Sequence, residues 1–295
     1  MTDMLENPSR RLALAMGAIA GASLATPALA NSLNPLPPAD RVDPEGRFAG
    51  KVVAVTGGNS GIGAATVRAF AMEGARVMFC ARRDALGREV EADIRAAGGD
   101  VTWMVADVRD PAQVAGFIEA TVATYGRLDV LFNNAGIFMT PAPIEDIPVD
   151  NYRDMMATNA DGVFFGMKFA LPVMRAQGSG VIVNMASVAG HRGFGNTAHY
   201  NASKHAVIGL TKAAAAASAR DNIRVVSISP LAVDTPMLEE SFDYQGLTYE
   251  AMAPNFVTPR IMEPHEMAAG VLFLASDAAT AFNGMDFDAT GGQLA

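Results

Sequence analysis

Cysteine occurs once, at Cys80, so no intrachain disulfide can form and no zinc site built on several cysteines is available. Histidine is scarce as well, and the four residues at 191, 199, 205 and 265 lack ligand spacing backed by carboxylates. Positive charge is in deficit: 22 lysines and arginines stand against 31 aspartates and glutamates, a net charge of -9. With no basic stripe to override that balance, a general affinity for nucleic acid is excluded, and the acidity serves mainly solubility. Half of the 295 residues are apolar. That is enough to bury a full core, and the length suits one large α/β domain plus an appendage.

Charge is missing altogether from Leu12 to Ala39, directly after Ser9-Arg10-Arg11. A positive start, a moderately apolar stretch to Leu24 and the small-x-small run Pro27-Ala28-Leu29-Ala30 form the layout of an export signal, with cleavage expected after Ala30. The paired arginines resemble a twin-arginine signal, which serves folded proteins. Residues 1–30 are therefore read as an export signal that places the protein in the periplasm or beyond, and no stable membrane insertion is expected once it is removed. An uncleaved anchor, or a tail on a cytoplasmic enzyme, is the alternative. Residues 31–46, with Pro35, Pro37, Pro38 and Pro44, read as an extended linker, and residues 47–295 as the folded domain.

From Lys51 short β-rich runs alternate with longer helical stretches. The strands are expected at Lys51–Thr56, Arg76–Cys80, Val101–Val105, Leu128–Phe132, Gly180–Met185, Arg224–Ser229 and Met285–Asp288. The helices fall between them, at Gly63–Glu73, Asp84–Ala97, Pro111–Tyr125, Val149–Arg175, Ala198–Arg220 and Pro264–Ser276. This alternation predicts an α/β fold: one doubly wound parallel sheet of about seven strands in a three-layer α/β/α sandwich. Its ligand crevice should lie at the carboxyl edge, where the strand order reverses.

The first strand runs into Thr56-Gly57-Gly58-Asn59-Ser60-Gly61-Ile62-Gly63 and a helix follows at once. Glycines there admit a tight turn and let a pyrophosphate reach the helix N-terminus, where free N–H groups and the helix dipole favour an anion. After the second strand stand Arg82 and Arg83 with no carboxylate before them. Guanidinium groups match a ribose 2′-phosphate, so NADP(H) is favoured over NAD(H). Asp84 follows and can either cap the next helix or touch the ribose. Asp107 can accept a hydrogen bond from an adenine amino group or cap the helix after it. Asn133-Asn134-Ala135-Gly136 closes the fourth strand, where amide side chains can stabilise the sheet and meet the cofactor.

Tyr200 and Lys204, four apart on one helix face, set an ammonium beside a phenol. A phenol of pKa about 10 trades protons near neutrality only if a fixed positive charge favours the phenolate, so the lysine is expected to lower the tyrosine.

The glycine turn, Asn133-Asn-Ala-Gly, Asn159, Ser187, Tyr200-x3-Lys204 and Val207-Ile-Gly-Leu-Thr-Lys212 occur in this order and spacing in the short-chain dehydrogenase/reductase family, which the chain resembles over residues 50–292. The resemblance implies a Rossmann-type fold, a dimer or tetramer, and a tetrad of Asn159, Ser187, Tyr200 and Lys204. It implies cofactor contacts at Gly57, Asn59, Ser60, Gly61, Ile62, Gly63, Arg82, Arg83, Asp107, Val108, Asn134, Ala135, Gly136, Tyr200, Lys204, Pro230, Val233 and Thr235. By the same token Lys204 holds the nicotinamide ribose, and Asn159 positions a water that links the lysine to solvent. Leu231 departs from the family, which has glycine after that proline; the change should cost backbone freedom and add bulk beside the nicotinamide.

Hydride transfer to a carbonyl creates an alkoxide that must be stabilised and protonated. Ser187 can donate to that oxygen while Tyr200 delivers the proton. The implied activity is therefore an NAD(P)(H)-dependent oxidoreductase for a small alcohol or ketone. A cofactor-sensing protein of the same fold is the alternative, although it would have no need of a proton relay. Asp234–Arg260 holds many apolar and aromatic residues among turn formers, and reads as a mobile lid selecting an apolar or aromatic substrate, the alternative being a helix pair packed on the sheet. His191 and His199 flank the tyrosine segment without an assigned role.

Overall fold

A computed structural model describes residues 40–295. The export signal and most of the linker fall on residues 1–39 and lie outside the described residues. Seven strands form one sheet: β1 Val52–Thr56, β2 Arg76–Ala81, β3 Asp100–Val105, β4 Val130–Asn133, β5 Gly180–Met185, β6 Ile223–Pro230 and β7 Asp286–Ala289. The order is β3-β2-β1-β4-β5-β6-β7 and every pairing is parallel. The chain therefore winds outward from β1 to β3, then returns to place β4 on the other side of β1. The gap between the carboxyl ends of β1 and β4 is the reversal point.

Alternation along the strands divides the core into two layers. Val53, Val55, Val77, Phe79, Phe132 and Val183 face one side, where Phe70 of helix α1 (Gly61–Met72) and Ile94 of α2 (Asp84–Ala96) cover them. Ala54, Met78, Leu131, Ile182 and Val225 face the other, beneath Phe117 of α3 (Pro111–Tyr125). The run Val149–Gln177 follows as α4 (Val149–Met156), a π turn at Ala157–Asp161 and α5 (Gly162–Gln177); α6 spans Ala198–Ser218. Met167 and Met174 of α5 and Val207 of α6 complete the second layer. Cys80 lies inside it, and burial pushes its thiol well above the ordinary range, so it is inert.

Two expectations change. The segment after β6 is mainly helical rather than a loop: α7 covers Pro236–Gln245 and α8 Tyr249–Met252. Thr235 accepts a hydrogen bond from Leu238 N and Thr248 from Ala251 N, so each short helix has a hydroxyl cap, and Gly246 at φ 63° ends the first. Further on, α9 spans Pro264–Ala275. At the other end, the last part of the expected linker is fastened down. Asp43 N donates to Met72 O at 2.6 Å, Val42 packs on the core, and the Phe48 and Phe70 rings meet edge-on at 4.7 Å.

Among the described residues no helix is long and apolar enough to cross a membrane, and no cluster of His, Cys, Asp and Glu could hold a metal ion.

Candidate active site

The turn after β1 is shaped by its neighbours across the reversal point. Gly57 has φ 68° and Gly61 φ 52°. A Cβ on Gly63 would lie 2.1 Å from Gly57 O and 2.5 Å from Asn134 Nδ2, so a side chain there would push the turn off the helix. Thr56 Oγ1 accepts from the backbone N–H groups of Asn134 and Ala135, both at 3.1 Å. Asn134 Nδ2 returns the contact to Thr56 O (3.1 Å) and Gly57 O (3.0 Å). Ser60 enters α1 in extended conformation and forms no side-chain cap, which leaves the first N–H groups of the helix directed at the cleft. The cradle fits a pyrophosphate.

At the end of β2 the two arginines are exposed at the rim. Arg83 donates to Ser60 Oγ at 2.8 Å, and its carbonyl accepts from Asn59 Nδ2 at 3.1 Å. Asp84 does not cap α2. Its carboxylate accepts from Trp103 Nε1 (2.8 Å) and Arg88 Nε (2.9 Å), and these bonds hold it below the usual carboxylate range. Asp107 does not cap either, because Asp110 accepts from Ala112 N at the start of α3. Asp107 is clasped instead by Arg109, with Nη2 at 2.7 Å, and that guanidinium holds its carboxyl below the ordinary value. Arg109 is a cleft residue for which the sequence offered no pattern.

Ser187 follows β5 in extended conformation, and its Oγ accepts from Ala189 N at 3.2 Å. Tyr200 and Lys204 project from the first turns of α6. The Tyr200 ring packs edge-on against Phe138 with centroids 5.1 Å apart. Lys204 is buried, donates from Nζ to Met185 O at 2.9 Å, and stands 5.6 Å from the Tyr200 ring centroid. The expected lowering of the phenol is not what this geometry gives. Burial pushes the Tyr200 hydroxyl up, with the nearby Ser187 hydroxyl opposing it, and burial pushes Lys204 down to about 8. The ammonium sits over the ring face, engaged with a carbonyl, so desolvation outweighs the attraction between the two.

The Asn159 side chain is bonded within the protein. It is fully buried in the π turn, where Oδ1 accepts from Ile137 N (2.8 Å) and Nδ2 donates to Ile137 O (3.0 Å) and Ser203 Oγ (3.2 Å). Its carboxamide is engaged with protein, and it joins the chain leaving β4 to the helix that carries Tyr200. Leu231 also differs from expectation, because Asn222 is the one non-glycine residue with positive φ among the described residues. Leucine is unstrained there and contributes only its bulk, which lines the cleft.

All the expected cofactor residues line one cleft of about 850 Å³, together with Ser187, Tyr200, Lys204 and Leu231. Asn159 lies behind its wall. Thr158, whose buried hydroxyl meets no protein partner, lines the cleft and was not foreseen. The substrate side is closed by Phe138 and Met139, by Phe194, and by Met237, Phe242 and Tyr244 of α7. The two histidines stay outside: His191 Nε2 meets Asp286 Oδ2 at 2.7 Å, and His199 is buried with neither ring nitrogen partnered.

Residues 57–293 match the family described as enoyl-(acyl carrier protein) reductase. Levodione reductase of Leifsonia aquatica is 39% identical over 262 residues, which cover 85% of this chain and 97% of that one. Its crystal structure superposes with a TM-score of 0.81 at 38% identity, covering 84% and 98% of the two chains. A 2,5-dichloro-2,5-cyclohexadiene-1,4-diol dehydrogenase of Sphingobium indicum is 38% identical over 83% of this chain and 97% of its own. Cis-4-hydroxycyclohexanecarboxylate dehydrogenase of Sinomonas cyclohexanicum is 38% identical over 84% and 98%. ElxO with NADP bound has a TM-score of 0.78 at 30% identity, covering 83% and 98%. The 3-ketoacyl-(acyl-carrier-protein) reductase of Brucella melitensis, complexed with NADH, has 0.77 at 31%, also covering 83% and 98%.

The buried lysine gives a pH signature. Lys204 titrates near 8 in the folded protein, while an exposed lysine of the unfolded chain titrates at about 10.4. The unfolded state thus binds more protons between these values, so the folded state bears the full desolvation penalty below pH 8 and loses it as pH rises towards 10.4. In Lys204→Met that penalty is gone. The unfolding free energy of the variant minus that of the parent should therefore be about 2 to 3 kcal/mol more favourable at pH 7 than at pH 10.5 in urea titrations of cofactor-free protein. A difference independent of pH would contradict a buried, charged Lys204.

Proposed function

The chain belongs to the short-chain dehydrogenase/reductase family, and we propose that it is the NADP(H)-dependent member that interconverts an alcohol and a ketone on a small, six-membered carbocycle, with Tyr200 as general acid and base. The observation that carries this reading is the convergence of Ser187, Tyr200 and Lys204 on one cleft with the glycine turn of β1.

The bound nicotinamide would supply the hydride, or accept it in the reverse direction. The rest falls to the chain. Ser187 Oγ donates to the substrate oxygen, and the Tyr200 hydroxyl gives its proton as charge develops there. Lys204, still protonated at neutral pH with a value of about 8, faces the phenolate that remains. It would also hold the ribose hydroxyls. In oxidation the phenolate takes the proton back. Asn159 acts at one remove, fixing Ile137 against α6 and so setting where Tyr200 stands.

Two observations support NADP(H). Arg82 and Arg83 are exposed at the rim of the cleft, and Asp84, the one carboxylate close by in sequence, is turned onto Trp103 and Arg88. The ring assignment draws on the two relatives named for cyclohexadiene-diol and hydroxycyclohexanecarboxylate substrates and on the apolar lining beyond Tyr200. Assembly as a homodimer or homotetramer is supported by the exposed Val149, Tyr152 and Phe164 on α4 and α5. An exported location rests on the sequence of residues 9–30 alone.

Tyr200→Phe should still bind NADPH by fluorescence titration while kcat falls at least about a hundredfold; turnover near the parent level would remove Tyr200 from the proton step. Replacing both Arg82 and Arg83 by Ala should raise KM for NADP(H) at least about 100-fold and leave NAD(H) nearly unchanged, since each charged contact to a phosphate contributes about 1.5–3 kcal/mol. An equal effect on both cofactors would refute the 2′-phosphate contact. Mass spectrometry of the protein from its native cell should find Asn31 as first residue, and a cytosolic product beginning near Met1 would exclude export.

A further inference from the structure

Charge is divided along the cleft in a way that neither the fold nor the proton chemistry requires. Among the described residues that line it, the cationic side chains are Arg82, Arg83, Arg109 and Lys204. Three stand at the nucleotide end, with Arg109 closed onto Asp107 and Arg83 onto Ser60. Lys204 is held by the Met185 carbonyl. Past Tyr200 the lining becomes mainly apolar, with Phe138, Met139, Phe194, Leu231, Met237 and Phe242, and its polar members Thr140, Ser241, Tyr244 and Gln245 carry no charge.

The banks of that end are acidic. From Ile137 to Asp150 the chain carries Glu145, Asp146 and Asp150 and no base. From Pro236 to Met252 it carries Glu239, Glu240, Asp243 and Glu250, again with no base. Glu240 itself lines the cleft, and its Oε1 accepts from the Tyr244 hydroxyl at 2.6 Å, with Thr140 of the opposite bank beside that hydroxyl. The loop between Ser187 and Ala198 holds one arginine, Arg192, which donates to Gln293 O at 3.3 Å and stays outside the lining.

An anion entering here would lose its hydration among apolar side chains with no cation to replace it. It would also approach through a negative field. The exposed carboxylates are screened within about 8 Å at physiological ionic strength, so their share is the smaller and salt-sensitive one. The geometry points to a substrate end built for neutral alcohols and ketones, which rejects carboxylates and the anionic phosphopantetheine thioesters of acyl carriers, with Glu240 as the side chain at the mouth that sharpens the rejection. This rests on the oxidoreductase reading above and narrows it. It sets the chain apart from the relative named for a carboxylate and from the carrier-bound substrates after which the matching family is described.

The test uses the purified protein with NADPH and two substrate pairs that differ only in charge: 4-oxocyclohexanecarboxylate against its primary amide, and 4-oxopentanoate against its primary amide. In each pair kcat/KM for the amide should exceed that for the carboxylate by roughly a hundredfold or more. Glu240→Lys should narrow the ratio by about five- to tenfold, and 1 M salt should narrow it less in the parent. Equal use of acid and amide, or preference for the acid, overturns the neutral-substrate inference. A ratio unmoved by Glu240→Lys overturns the role of Glu240. Turnover of the chain pair without the ring pair would refute the carbocycle assignment and still leave the charge ratio readable. Failure on all four compounds overturns the substrate reading and this inference with it.

Discussion

The cleft exists because two strands that must part are held together where they part. At the reversal point the chain leaves β1 towards one face and β4 towards the other, so backbone groups at both carboxyl ends run out of ladder partners. Thr56 and Asn134 supply those partners reciprocally, hydroxyl to N–H and amide to carbonyl. That stitch fixes the floor under the glycine turn and allows α1 to begin close enough that no Cβ fits at Gly63. A second series of amides continues inward. Asn133 Nδ2 donates to Asn184 Oδ1 on β5, Asn184 Nδ2 to Thr211 Oγ1 on α6, each at 2.9 Å, and Thr211 Oγ1 to Val207 O at 2.8 Å. The frame of the nucleotide turn and the helix of Tyr200 and Lys204 are therefore parts of one buried hydrogen-bonded system.

The sheet and its helices were legible in the sequence because strands buried on both faces must be apolar throughout, and β1 reads Val-Val-Ala-Val-Thr with every residue buried. The helix over Pro111–Tyr125 was read to the residue, since a proline follows the Asp110 cap and Gly126 adopts φ 82° beyond the end. The glycine turn, Ser187, Tyr200 and Lys204 were legible because their spacing matched a family pattern, and the structure brings them to one cleft. The segment after β6 was misread as loop: its aromatics and Gly246 resemble turn composition, while the signals for helix were the Thr235 and Thr248 caps.

What was illegible depended on tertiary depth. The π turn at Ala157–Asp161 was not read from the sequence, and within it Asn159 bonds Ile137, 22 residues away, a contact that local pattern does not show. Spacing placed Lys204 beside Tyr200 correctly. It could not show that the ammonium would be pinned to Met185 O, nor that burial would displace both groups' proton affinities towards their neutral forms. Leu231 shows the converse. Its departure from glycine was visible, but only the backbone reveals that the turn does not need positive φ, which leaves its side chain as the consequence.

A chain of net charge -9 must nevertheless attract a polyphosphate. Its overall field opposes that approach, yet screening confines the field to about 8 Å, so contact cations decide the outcome. Arg82, Arg83 and Arg109 are the cleft cations placed for it, because they follow the carboxyl ends of β2 and β3, on one side of the reversal point. The segments that follow β4 and β6 carry apolar lining and carboxylates instead. Topology thus sorts the charge. One edge of a parallel sheet offers two neighbouring surfaces, and the point where strand order reverses separates a surface lined by arginines from one lined mainly by apolar side chains, with Tyr200 on the boundary.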